Sequence, residues 1–212
     1  MIITLSSLKG GSGKSTLAIH LAHAIALSKR RVLLVDADPQ GSAQGWSAAR
    51  EEKPPFTVIG MARNTLHRDL PDIAKDYDHV VIDTPPRVSA LARTAILAAD
   101  VVLIPVQPSS YDVWAASETV TLIDEAQGFK PEIKAAFIIN RRIPNTVIGR
   151  DVEEALSEYD LPTLPQAIAQ RVAFSESSSG HTVMEMSATS SASKEVLKFA
   201  KDILKLMEVK KW

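Results

Sequence analysis

The chain has 212 residues, 45% hydrophobic and 23% charged, with 24 Lys and Arg against 25 Asp and Glu. This length and balance suit one soluble α/β domain, residues 1–212, and exclude a disordered chain or a globally basic nucleic-acid binder; only a local basic patch remains open. Cysteine is absent, which excludes a disulfide scaffold, a thiolate zinc site, a cysteine nucleophile and a cysteine-held iron–sulfur cluster.

The amino-terminal run Met1-Ile2-Ile3-Thr4-Leu5 lacks the charged flank of a secretory signal. No stretch approaches the roughly 20 apolar residues that span a bilayer, so a cytoplasmic location is expected. Strands are predicted over Ile2–Leu8, Val32–Asp36, Phe56–Ile59, His79–Asp83, Val101–Val106 and Ile133–Ile139. Most of these runs are continuously apolar, the pattern of strands covered on both faces. Helical spacing occupies Thr16–Ser28, Leu66–Asp76, Ser89–Ala98 and Trp114–Gln127, and Ser187–Ser193 reads as a loop or helix entry. Alternation of strand and helix predicts a single doubly wound, mostly parallel sheet flanked by helices. Ligands of such sheets sit beyond the carboxyl ends of the strands.

After the first strand comes Lys9-Gly10-Gly11-Ser12-Gly13-Lys14-Ser15-Thr16. Glycines let successive N–H groups converge, and the helix that follows adds positive potential, which suits a polyphosphate. Lys14 would reach the terminal phosphates and Ser15 would hold Mg²⁺. The plain alternative is a glycine turn with an accidental Gly-Lys-Ser. The standard spacing places its first glycine at position 8, which is Leu8; a second lysine, Lys9, precedes the glycines instead. This box resembles the deviant Walker A motif of the ParA/MinD ATPases. The resemblance implies ATP and Mg²⁺ as cofactors, and an ATP-bound homodimer in which Lys9 crosses to the partner's nucleotide. Without that context Lys9 reads as a solvated loop lysine.

Arg31-Val32-Leu33-Leu34-Val35-Asp36-Ala37-Asp38-Pro39-Gln40 runs from strand to turn. It is similar to the second phosphate-side box of the family, which implies that Asp38 orients the attacking water and that Asp36 supports the metal shell. Either acid could instead cap the helix predicted near Ser42. Val80-Val81-Ile82-Asp83-Thr84-Pro85-Pro86 resembles a Walker B strand. By that resemblance Asp83 holds Mg²⁺ and Thr84-Pro85-Pro86 senses the γ-phosphate. Gln107-Pro108-Ser109 and Asn140-Arg141-Arg142 end later strands. The family likeness puts Pro108 near the base and Asn140 on the adenine edge, although Asn140 also suits a plain turn.

His20 and His23 lie one helical turn apart, but no third ligand is near in sequence, so no zinc site is expected. Lys194, Lys198, Lys201 and Lys205 fall within an arc of about 60° on the polar half of a predicted terminal helix, Lys194–Glu208. A solvated face, a DNA-contacting stripe and a membrane-surface helix are all compatible with it. Arg141, Arg142, Arg150 and Arg171 could extend a basic surface. The family resemblance, covering nearly the whole chain, implies a partition ATPase with nonspecific DNA binding at the nucleoid. The sequence starts at the phosphate strand with no preceding helix-turn-helix segment, so a separate centromere-binding adaptor, ParB/ParG-like, is expected to stimulate it. A membrane partner is not expected. The alternatives are a MinD-like membrane-associated regulator, a protein of conjugative DNA processing, and a cargo-positioning ATPase.

Overall fold

A computed structural model describes residues 1–87, 90–144 and 146–212, with Arg150 given by its backbone alone. Six strands form one sheet: β1 (Ile2–Leu5), β2 (Val32–Asp36), β3 (Thr57–Gly60), β4 (His79–Asp83), β5 (Val101–Val106) and β6 (Lys134–Ile139). Their order is β3-β2-β4-β1-β5-β6 and every pairing is parallel. The chain moves left from β1, returns through β4, then continues to the right through β5 and β6. The crevice at this change of direction therefore opens above the carboxyl end of β1.

The apolar runs follow from burial on both faces. In β2, Val32 and Leu34 join one core with Leu21 and Ile25 of α1 (Lys14–Ala26). Leu33 and Val35 join another with Leu66 and Leu70 of α3 (Leu66–Ala74). Between them in sequence lies the short α2 (Ser42–Ala48), whose Trp46 ring stacks on Phe56 at 5.5 Å. On the right of the sheet, α4 (Ala90–Ala98) and α5 (Ser110–Gln127) cover β5 and β6 on one face, and α6 (Val147–Leu156) closes the edge. The short α7 (Val172–Glu176) and α8 (Val183–Met186) precede α9 (Ser191–Leu206), which lies beside α1.

All six predicted strands are present, and β2, β4 and β5 have the expected bounds. The first strand stops at Leu5 because the chain then bends, with Ser6 donating to Leu103 and Thr84 donating to the Leu5 carbonyl. α1 starts two residues before the expected Thr16, and α5 starts four before Trp114. Ser89, the predicted start of α4, lies outside the described residues. The terminal helix starts at Ser191, where Ser190 caps it by accepting from the Ser193 N–H at 3.2 Å. Val196, Phe199, Ala200 and Ile203 turn into the core, while Lys194, Lys198, Lys201 and Lys205 stay exposed, as the helical spacing predicts.

Candidate functional site

Register brings the acids together. Leu5 of β1 and Asp36 of β2 both pair with Asp83 of β4, so the three chain ends open at one level. The glycine loop arches over this edge. Gly11 and Gly13 hold φ of 77° and 95°, a region that favours glycine. A Cβ at Gly13 would sit 2.1 Å from Nδ2 of Asn140, so that position is fixed by space as well as by conformation. α1 then begins with no side-chain cap and no acid in its first turn. Its positive end and free N–H groups are left for an anionic ligand.

Lys14 is buried at the start of α1, and its Nζ donates back to the Lys9 carbonyl at 3.3 Å. Burial lowers its pKa, opposed by the charges of Asp83 and then Asp38. Asp83 is fully buried beside the Ser15 hydroxyl, and among the described residues no donor reaches either carboxylate oxygen in good hydrogen-bond geometry. Burial pushes its pKa up to about 7; the Ser15 hydroxyl and, less strongly, the Lys14 ammonium pull the other way. Stranded carboxylate oxygens beside a serine hydroxyl form an all-oxygen donor set, which fits Mg²⁺ rather than a soft metal.

Asp36 is held by backbone N–H groups. Its Oδ2 accepts from the Ala43 and Gln44 N–H groups at 2.9 and 3.0 Å, and its Oδ1 from Asp38 at 3.2 Å. It caps the first turn of α2, the reading that the sequence left open beside the metal-shell one. Burial raises its pKa against those hydrogen bonds. Asp38 is also nearly buried; its Oδ1 accepts from Gln40 at 2.9 Å, and no bond from a described residue to its Oδ2 is seen.

Three neighbours grip the loop from its other side. Asn140, at the end of β6, is buried and donates its amide to the Ser12 carbonyl at 2.8 Å. Gln107, at the end of β5, donates to the Gly11 carbonyl at 2.7 Å. Lys9 forms an ion pair with Asp112, a buried acid in the first turn of α5. The lysine expected to reach a partner subunit is thus held within its own chain. Asp112 lies three residues beyond the Gln107-Pro108-Ser109 strand end, and nothing in the spacing pairs it with Lys9.

Beside the loop lies a cleft of about 500 Å³ lined by Thr16, Asn140, Arg141, Ile168, Arg171 and Phe174, among others. Asn140 therefore serves both the cleft and the loop, with one amide proton already given to Ser12. Pro108 does not line this cleft, because the chain leaving β5 turns toward Gly11 and into α5. The 168–174 wall carries no motif that sequence reading could have found. Arg141 holds φ of 55°, placing a non-glycine residue in the left-handed region at the cleft's edge. Arg141 and Arg171 face this cleft, Arg142 lines a separate hollow with Lys198, and the side chain of Arg150 lies outside the described residues. His20 and His23 are buried structural groups. His20 Nδ1 pairs with the Thr16 carbonyl at 2.7 Å and its Nε2 accepts from the Val183 N–H at 3.1 Å, and burial lowers its pKa to about 4.

Asp83 also sets a pH dependence. Its carboxyl titrates near 3.8 when unfolded and near 7 in the fold, so between these values the folded, metal-free protein binds the extra proton. Stability should therefore fall as pH rises from about 4 to about 7. Asp83→Asn should remove this component and gain on the wild type toward pH 7. Thermal unfolding of both proteins in chelator across this range measures it; parallel curves would contradict the assignment.

The "CobQ/CobB/MinD/ParA nucleotide binding domain" family matches residues 3–183. Maintenance of carboxysome distribution protein A of Halothiobacillus neapolitanus is 29% identical over 175 residues, 81% of each chain. Chromosome-partitioning ATPase Soj of Thermus thermophilus is 26% identical over 235 aligned positions, covering 95% of this chain and 94% of that one. The cobyrinic acid a,c-diamide synthase of Mycobacterium smegmatis, solved with a bound ATP analogue and magnesium, superposes with a TM-score of 0.80 at 22% identity, over 98% and 95% of the two chains. The match across most of the chain, on a sheet and glycine loop of the same kind, makes this protein a member of the CobQ/CobB/MinD/ParA nucleotide-binding family.

Proposed function

We propose that the protein is a Mg²⁺-dependent ATPase of the ParA/MinD type that uses ATP-driven dimerisation on DNA to partition a cargo. The observation that carries the nucleotide part is the stranded Asp83 carboxylate beside Ser15 and Lys14, beneath a glycine loop with an uncapped helix end. An ATP analogue and magnesium are bound in a solved structure of the same fold. Gly10, Gly11, Ser12 and Gly13 would wrap the phosphates, Lys14 would face the terminal ones, and Thr16 and Asn140 would border the nucleoside. Ser15 and Asp83 would hold the metal. Bound there, Mg²⁺ would supply charge neutralisation for the terminal phosphates. Among the described residues no three His, Cys, Asp or Glu form a metal cage of their own, and Mg²⁺ sites of this kind are completed by phosphates and water.

Asp38 keeps one oxygen to which no described residue donates, and so suits a water-orienting role. Lys9 is half-buried and tied to Asp112. To serve a partner's nucleotide it must exchange that acid for phosphate, which links dimer closure to the break of one ion pair. The exposed lysines of α9 support a nonspecific DNA contact, and relatives named for chromosome partition and for carboxysome distribution support the partition reading. The carboxysome relative favours a second reading in which the cargo is a protein body rather than a replicon. No helix among the described residues is long and apolar enough to cross a membrane.

Asp38→Ala should still bind ATP and dimerise, while hydrolysis falls by about 10²-fold or more, the scale of a lost positioning base. Lys9→Ala should fail to dimerise in ATP. Light scattering and phosphate release measure both; wild-type turnover in Asp38→Ala would make Asp38 structural, and an intact Lys9→Ala dimer would end the trans-lysine reading.

The ATP-loaded dimer should bind duplex DNA without sequence preference, because two lysine stripes on one body raise avidity. Affinity should fall on a log–log salt plot by about 0.9 per phosphate contacted. Binding to anionic vesicles without any DNA shift at low salt would overturn the DNA reading in favour of a membrane one.

A further inference from the structure

The cleft wall opposite the phosphate loop is held from two sides. On one side, Leu164, Ile168 and Gln170 donate their N–H groups to the carbonyls of Phe137, Ile139 and Arg142, at 2.8, 2.9 and 2.9 Å. This ties the segment to β6 and its continuation. On the other side, two carboxylates of α9 reach out to it. Asp202, buried, accepts from the Gln166 N–H at 3.0 Å. Glu195 accepts from the Ala169 N–H at 3.1 Å through Oε2, and from Nη2 of Arg171 at 2.6 Å through Oε1. The Nε of Arg171 lies 3.3 Å from both of those oxygens.

The side chain of Arg171 is therefore pinned by two of its nitrogens, while it still borders the cleft. Neutralised by Glu195, it adds little net charge toward a phosphate. What remains is a flat guanidinium face and its unused N–H groups, which suit a base or a ribose. Arg141 stands on the same cleft, and no ion pair joins it to a described residue.

We propose that Glu195 is a positioning residue: from α9 it fixes Arg171 as a wall of the cleft and so sets affinity for the nucleoside half of the ligand, not for its phosphates. The proposal rests on the nucleotide reading above. It makes the terminal helix part of the ligand site, through an acid that shares its surface with the exposed lysines.

The test compares ATP with inorganic tripolyphosphate, which lacks the nucleoside, by calorimetry on the full chain with Mg²⁺. Arg171→Ala and Glu195→Ala should each weaken ATP by about tenfold, the scale of one charge-assisted hydrogen bond. Both should leave tripolyphosphate unchanged. The double variant should be no weaker than either single one, since the two groups act as a unit. Glu195→Gln, which keeps an acceptor for the Ala169 N–H, should fall between wild type and Glu195→Ala with an unchanged unfolding midpoint. Unchanged ATP affinity in the single variants, equal weakening of both ligands, or additive losses in the double variant would each overturn the proposal. If wild type binds tripolyphosphate as tightly as ATP, the proposal falls because the cleft is not a nucleoside site. If wild type binds neither ligand, the phosphate-loop reading falls with it.

Discussion

A buried carboxylate short of hydrogen-bond donors organises this molecule. Asp83 stands at the end of a central strand, fully buried, with the Ser15 hydroxyl beside it and, among the described residues, no donor in good hydrogen-bond geometry to either oxygen. Such a group costs free energy unless it is protonated or meets a cation, and Lys14 is itself a buried ammonium whose charge is disfavoured by burial. The two meet below an uncapped helix end and a loop whose positive φ at Gly11 and Gly13 favours glycine. Each element is unfavourable alone, and a metal-bound polyphosphate would satisfy all three at once. The native state keeps this strained pocket because the sheet beneath it is covered on both faces and holds the strand ends in register.

The loop itself is braced rather than free. Asn140 bonds to Ser12, Gln107 to Gly11 and Lys9 to Asp112, each from a different element to the right of β1. These contacts fix the loop in the open chain before any partner is present. They also divide the labour of the strand ends: β2 and β4 contribute the acids, while β5 and β6 contribute the groups that hold the loop. The ion pair of Lys9 is the one brace that must break if this lysine is to act on a second subunit. The acid that holds it is buried, so release leaves Asp112 needing a new partner, which gives the exchange an energetic threshold.

Strands were legible because burial on both faces removes polar residues from them, and the phosphate loop because glycine, lysine and serine at that spacing have few other uses. The terminal helix was legible too, as its apolar half matches the core positions Val196, Phe199 and Ile203. The segment from 143 to 190 was not. α7 and α8 are too short to show a period, and they are held by side chains far away in sequence: Trp46 donates to the His181 carbonyl at 2.8 Å, and Arg50 pairs with Glu185 at 2.8 Å. Long-range bonds of this kind leave no local signature, and the same holds for the bonds from β6 and Glu195 that position the cleft wall at Arg171. Asp36 shows the opposite limit. Its motif resembles a metal-side box, and its bonds to the Ala43 and Gln44 N–H groups also make it a helix cap, which only the geometry reveals.

The central claim is that the glycine loop, Lys14 and Asp83 form one Mg²⁺-polyphosphate site. Titration calorimetry of ATP into wild type and Lys14→Ala, each with Mg²⁺ and again with a chelator, tests it most directly. The account predicts tight binding only for wild type with Mg²⁺, weaker binding when the metal is removed, and none detectable in Lys14→Ala under either condition. Wild-type affinity in Lys14→Ala, or ATP binding to wild type that ignores Mg²⁺, would contradict it.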